Sequence, residues 1–168
     1  MVVHYPSMAR RTLVALMLIG ALLLGVAMPA MAATERPFGG TFQGVVGFAG
    51  PRCGSDVTLG FTAVGTATHL GRIEGQASNC SDASFPVASV AVYDGVVTFV
   101  AADGSTITAE YSGVQQAPVA GVAAYSITMT LVRGTGRFEG ASGSWTANGQ
   151  LDFNELTLTG AFDGWIAY

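Results

Sequence analysis

His69 is the residue best suited to general acid–base chemistry in a sequence that contains only two histidines. Residues 57–75 alternate between apolar or small side chains at odd positions and threonine or charged side chains at even positions. This alternation predicts that His69 lies on the apolar face with Phe61, where an imidazole could act as a base or anchor a ligand. Two structural readings stay open: a core histidine bonded to a backbone carbonyl, or a histidine turned outward by a bulge at Gly65.

Two tyrosines have the same inward parity in later strand-like runs. Tyr111 closes an alternating run that begins at Thr106, and Tyr125 opens another that extends to Leu131. Both side chains could line a cavity, or they could fill a core and direct their hydroxyls to its rim. We therefore take Phe61, His69, Tyr111 and Tyr125 as the candidate ligand-binding residues and assign no catalytic residue.

Other chemistries lack the residues that they need. Glu74, Glu110 and Glu139 fall on solvent-facing or turn positions, so they do not form a glycosidase-like carboxylate pair. The sequence has no lysine for Schiff-base chemistry and no G-x-S-x-G elbow. It also lacks a phosphate loop, a dinucleotide fingerprint and the spacing of a calcium loop. We expect neither a metal nor a cofactor.

The length and composition predict one folded domain. The 168 residues are 50% apolar and 11% charged, with a formal net charge of −4. Intrinsic disorder requires low hydrophobicity with high charge, and binding to nucleic acid requires a basic surface. Both classes are therefore excluded.

Residues 1–32 have the order of an export signal. The basic pair Arg10 and Arg11 precedes an uncharged run, 12–29, and a small-residue cleavage site, 30–32. An uncleaved membrane anchor is the alternative, and the arginine pair leaves the Sec and twin-arginine routes open. We expect residues 33–168 to be the mature domain, with a net charge of −6, located outside the cell, at its surface or in the periplasm.

The two cysteines, Cys53 and Cys80, are expected to form a disulfide. A chain that enters an oxidising compartment with an even number of cysteines pairs them more readily than it uses them for metal binding or catalysis. The bond would close a loop that otherwise contributes entropy to the unfolded chain.

Alternation with period two, interrupted by turn residues, predicts an all-β domain. We expect tight reversals at Asp94-Gly95, Asp103-Gly104 and Asn148-Gly149. Turns divide the sequence into nine runs, from which we expect about eight strands: 40–48, 57–67, 69–77, 86–93, 96–102, 105–113 and 122–133, with 143–148 and 151–166 as a closing pair. Because the chain has no helix to cover one apolar face and many glycines within its strands, we favour a closed antiparallel barrel over a sandwich.

Two glycine-rich stretches carry a resemblance to a known superfamily. Residues 133–143, R-G-T-G-R-F-E-G-A-S-G, resemble a turn of the allene oxide cyclase-like and dirigent barrels. Residues 65–72, G-T-A-T-H-L-G-R, are similar to a stretch in small exported bacterial proteins of that superfamily. The resemblance implies an eight-stranded antiparallel barrel with an apolar interior, in which Phe138 can plug one end. None of the acting residues of the cyclases or dirigents can be matched to positions in this sequence.

Three classes of function stay open. We favour a non-catalytic exported barrel that either binds a small apolar ligand or acts as a surface or envelope component. The first alternative is a cyclase- or dirigent-like enzyme that steers cyclisation or coupling of an apolar substrate. The second is a self-associating envelope or surface protein, for which an outward Trp165 and the oligomers of related barrels give support.

The export signal makes a direct prediction. The protein isolated from outside the cytoplasm should begin at Ala33 or Thr34, because signal peptidase cleaves after a small-x-small site. N-terminal sequencing of the exported protein checks this result. Recovery of an intact segment 12–29 in the membrane fraction would show an uncleaved anchor instead.

Overall fold

A computed structural model describes residues 33–82 and 88–168, which form a closed barrel of eight antiparallel strands. Each strand pairs with its neighbours in sequence, and the last strand pairs with the first. The strands are β1 Glu35–Phe48, β2 Val57–Ala67, β3 Gly71–Ser81, β4 Ser89–Ala101, β5 Thr106–Gln116, β6 Val122–Gly134, β7 Ser142–Asp152 and β8 Thr157–Ala167. The predicted all-β, eight-stranded barrel is confirmed.

The alternation of side chains along each strand separates the barrel interior from its surface. In β7, Trp145, Ala147 and Leu151 are buried, whereas the residues between them are more exposed. In β8, Leu158 and Phe162 are buried in the same alternating pattern. Since successive side chains in a strand point to opposite faces, one apolar set fills the lumen of the barrel.

Aromatic rings fill one end of the lumen. The Phe38 ring lies 4.9 Å from the Trp145 ring and 5.1 Å from the Phe162 ring, measured between centroids. Phe138, in the short 3₁₀ helix Gly136–Phe138, is fully buried, and its ring packs 5.0 Å from that of Tyr168. The expected plug at one end of the barrel is therefore confirmed, and we call this the closed end.

Glycines allow the chain to make the turn that delivers Phe138. Gly136 and Gly140 have φ angles of 62° and 74°. These angles lie in the left-handed region, which side chains disfavour. The backbone of this glycine-rich turn therefore favours glycine at both positions.

Two of the three predicted reversals are wrong. Asp103-Gly104 does connect β4 to β5, but Asp94-Gly95 lies within β4, where the pairing register shifts at a bulge. Asn148-Gly149 lies within β7. The reversal between β7 and β8 is instead a turn at 153–156, which includes Leu156 at φ 55°.

Gly95 and Gly149, the glycines of the two incorrectly predicted reversals, make room for tyrosine rings. A Cβ atom on Gly95 would lie 2.3 Å from Cδ2 of Tyr111. A Cβ atom on Gly149 would lie 2.0 Å from the carbonyl oxygen of Thr159 and 2.5 Å from the hydroxyl of Tyr125. Glycine is thus present at these positions because of packing, although the same dipeptides are typical of hairpin turns.

Cys53 and Cys80 form a disulfide, with their Cα atoms 5.6 Å apart. The bond joins the β1–β2 loop to β3. Arg52, in the same loop, donates a hydrogen bond to the hydroxyl of Ser78 at 3.1 Å and another to the carbonyl oxygen of Asp94. This loop is therefore fastened both covalently and by hydrogen bonds to the outside of the barrel.

The predicted signal peptide, residues 1–32, lies outside the described residues, as does the β3–β4 segment 83–87. Within the ranges that the structure does describe, no helix has the length and apolar character needed to cross a membrane. The cleavage site and the anchor alternative stay predictions.

Removing the disulfide should destabilise the barrel. The cysteines are 27 residues apart in sequence. The double variant Cys53→Ser, Cys80→Ser should therefore lose about 3 kcal/mol of unfolding free energy, mainly because its unfolded chain is less constrained. Denaturant unfolding measures the loss. Reductant should reproduce it in the wild type and have no effect on the variant; equal stability of wild type and variant would contradict the prediction.

Candidate functional site

The lumen holds a cavity of about 80 Å³ between the aromatic closed end and the opposite end of the barrel. Its walls come from all eight strands, and the residues that line it are almost all apolar. They are Phe42, Phe61, Ala63, Gly75, Ala77, Asn79, Val92, Val97, Phe99, Tyr111, Gln115, Tyr125, Ile127, Met129, Leu151 and Leu158. An apolar concave site with a few polar groups is the usual form of a small-molecule pocket.

Three of the four candidate residues lie together in this cavity. Phe61, Tyr111 and Tyr125 all line it, so the inward direction predicted from their parity is confirmed. Phe61 and Tyr125 are half-buried, whereas Tyr111 is buried. Their role in binding a ligand stays a prediction.

Tyr111 is fixed by a polar contact across the lumen. Its hydroxyl donates a hydrogen bond of 3.1 Å to Oδ1 of Asn79. The Asn79 amide in turn donates to the carbonyl oxygen of Cys80 and to the Ser81 hydroxyl, each at 3.0 Å. Burial raises the pKa of the Tyr111 phenol well above its ordinary value of 10.0, so the side chain is neutral at physiological pH.

Tyr125 extends from β6 across β7 to β8. Its hydroxyl donates a hydrogen bond of 3.1 Å to the carbonyl oxygen of Thr159. A Cβ atom on Gly160 would lie 2.4 Å from this hydroxyl, so the ring passes over Gly160 as well as over Gly149. Burial raises the pKa of Tyr125 too.

The predicted position of His69 in the lumen is wrong. His69 lies in the turn between β2 and β3, beyond the end of β2, and its φ angle is 66°. Its Nε2 lies 3.0 Å from the carbonyl oxygen of Pro37, and its ring packs against Tyr168 at the closed end. The alternation of β2 stops before residue 69, so the parity of that strand no longer sets the direction of the histidine.

Two polar lining residues, Asn79 and Gln115, were missed in the sequence. Both are buried, with 2% and 3% of their surface exposed. The predicted strands ended at residues 77 and 113, whereas β3 and β5 extend to Ser81 and Gln116. Continuing the odd-numbered alternation by one step in each strand would have identified both residues.

The site carries no charge. No aspartate, glutamate, arginine or histidine is among the described residues that line the cavity. In the described ranges, moreover, no group of three histidine, cysteine, aspartate or glutamate side chains could hold a metal ion. The lumen therefore offers apolar contact and neutral hydrogen-bonding groups.

The barrel is similar to two solved structures of pterocarpan synthase dirigent proteins. It aligns with PsPTS1 at a TM-score of 0.51 and 17% identity, over 82% of this chain and 97% of that one. It aligns with GePTS1 at a TM-score of 0.51 and 15% identity, over 99% of both chains. The fold is that of the dirigent barrels. This agrees with the resemblance to the dirigent and allene oxide cyclase-like superfamily found in the sequence.

The sequence comparisons do not identify a family for this chain. No protein-family model matches the chain, and neither does any curated protein. At 15–17% identity the likeness to the dirigent structures concerns the fold. The chemistry of this barrel therefore depends on its own cavity.

Tyr125 should make the barrel sensitive to alkali. Burial raises its pKa above 10.0 in the folded state, so deprotonation favours the unfolded chain. Its contribution to stability is complete below about pH 10 and is lost as the pH rises above that value. Unfolding measured from pH 7 to 12 should therefore show a shallower alkaline loss for Tyr125→Phe than for the wild type. Identical pH profiles would contradict this placement of Tyr125.

Proposed function

We propose that this protein is an exported dirigent-type barrel that binds a small, neutral, apolar molecule in its lumen without transforming it. The observation that carries the proposal is the cavity of about 80 Å³, whose lining is apolar apart from four uncharged polar side chains. An engineered apolar cavity of about 150 Å³ takes up benzene. The cavity in this barrel has about half that volume, so we expect a ligand of no more than one ring, part of which extends beyond the space between the lining side chains.

The polar groups of the lumen favour binding over catalysis. Acid–base catalysis requires a group whose pKa lies near the working pH. Burial holds Tyr111 and Tyr125 in their neutral form, and both hydroxyls already donate hydrogen bonds within the protein. His69 lies at the closed end of the barrel, away from the cavity lining.

An enzyme of the dirigent kind is the second candidate. The names of the two structural neighbours describe them as pterocarpan synthase dirigent proteins, and this supports it. Such a role would require the lumen to orient a reactive apolar substrate, which the same cavity can do. Turnover by the wild type, abolished by filling the lumen, would favour it over simple binding.

The disulfide and the fold support an exported location. A Cys53–Cys80 bond is stable in an oxidising compartment and is rare in the cytosol. The self-associating alternative depends on outward residues such as Trp165, which is 37% exposed. The self-associating alternative does not account for the cavity.

Filling the lumen should abolish binding. Ala77 lines the cavity opposite Phe61 on the neighbouring strand, so Ala77→Leu places three more carbon atoms in the free space. Calorimetric titration with ethylbenzene should show saturable one-to-one binding to the wild type. We expect at least a tenfold weaker association for Ala77→Leu.

Ala124→Leu provides the matched control, because Ala124 is exposed on the outer face of β6. This variant should bind ethylbenzene like the wild type. Absence of saturable binding by the wild type, or equal binding by Ala77→Leu, would reject the lumen as a ligand site.

A further inference from the structure

The Gln115 side chain is a polar group without a partner in an otherwise apolar part of the lumen. Only 3% of its surface is exposed, and it lines the cavity. Its neighbours in the pairing register are Val90 on β4 and Tyr125 on β6. The nearby Leu151 and Leu158 belong to a second apolar cluster at this end of the barrel.

The other polar groups of the cavity are already bonded. The Asn79 amide and the Tyr111 and Tyr125 hydroxyls all have the hydrogen bonds described above. In contrast, no residue in the described part of the chain makes a hydrogen bond to the Gln115 amide. An amide in a side chain that is almost wholly enclosed costs stability unless water or a ligand bonds to it.

The Gln115 amide keeps some accessible surface. Among the described residues, every side-chain nitrogen or oxygen that is wholly shut off from solvent has a hydrogen-bond partner. The unpartnered amide of Gln115 must therefore keep some accessible surface, and the cavity is the space that this residue lines. A glutamine amide offers two N–H donors and one carbonyl acceptor.

We propose that Gln115 determines which ligand the lumen accepts, and that the ligand is an apolar molecule with one neutral hydroxyl or carbonyl group. This inference rests on the proposed function, since it names the ligand class of the same cavity. The apolar body would occupy the space beside Phe61 and Leu158, and the polar group would bond to the Gln115 amide. A charged group is disfavoured because none of the described lining residues can neutralise it.

The two consecutive glutamines, Gln115 and Gln116, allow a matched test. Gln116 follows directly in β5 and is exposed on the outer face. Gln115→Met removes the amide but keeps an unbranched side chain of similar length, and Gln116→Met makes the same change outside the lumen. Benzyl alcohol and ethylbenzene provide the matched probes, because they differ only in a hydroxyl group in place of a methyl group.

Calorimetric titration of the wild type and both variants with the two probes tests the proposal. Gln115→Met should weaken benzyl alcohol binding by about three- to tenfold, the loss expected for one neutral hydrogen bond. It should leave ethylbenzene binding equal or stronger, and Gln116→Met should change neither. The ¹⁵N resonance of the Gln115 side-chain amide in the wild type should shift with benzyl alcohol and not with ethylbenzene, which gives a readout independent of any variant.

The outcomes separate this inference from the proposed function. Ethylbenzene could bind in the lumen while Gln115→Met keeps the benzyl alcohol affinity of the wild type. In that case Gln115 is merely hydrated, and this inference is overturned while the proposed function stands. If neither probe binds the wild type, the proposed function fails and the inference fails with it.

Discussion

The structure depends on the fit between aromatic rings and glycines across a narrow lumen. A closed barrel of eight strands has an interior just wide enough for side chains to fill. Tyr111 fits because Gly95 carries no Cβ, and Tyr125 fits because both Gly149 and Gly160 leave its ring free. The position of these glycines therefore decides which rings can lie in the lumen and where free space is left between them.

The two ends of the barrel differ as a consequence. At the closed end, the rings of Phe138 and Tyr168 pack together. The guanidinium group of Arg36 lies 4.7 Å from the centre of the Tyr168 ring, and that of Arg137 lies 4.9 Å from the centre of the Phe138 ring. Arg137 also donates a hydrogen bond of 2.6 Å to the carbonyl oxygen of His69. The only histidine of the barrel thus belongs to the structure that seals this end, which leaves the cavity to neutral groups.

Much of the fold could be predicted because strand alternation and a closed barrel are consequences of local pattern. The inward direction of Phe61, Tyr111 and Tyr125 followed from parity alone. The failures concern residues whose role depends on distant contacts. Gly95 and Gly149 were assigned to turns because a dipeptide reveals the allowed backbone angles and not the ring packed against the glycine from another strand.

The candidate site was predicted less completely than the fold, for a related reason. His69 was misplaced since parity holds only within a strand, and β2 ends at Ala67. Gln115 was overlooked since a polar residue near a strand end is typical of a loop, whereas β5 continues to Gln116 with Gln115 buried. Whether a terminal residue lies inside the barrel depends on the partners that extend the strand, and those partners are remote in sequence.

The proposed function requires an apolar space in the lumen that the side chains do not fill. A crystal structure of the protein equilibrated with xenon tests it most directly, because xenon enters dry apolar cavities without requiring a specific polar partner. We expect a xenon atom between Phe61, Val97 and Leu158, all of which line the cavity. A lumen without xenon, closed by the rings of Tyr111 and Tyr125, would contradict it.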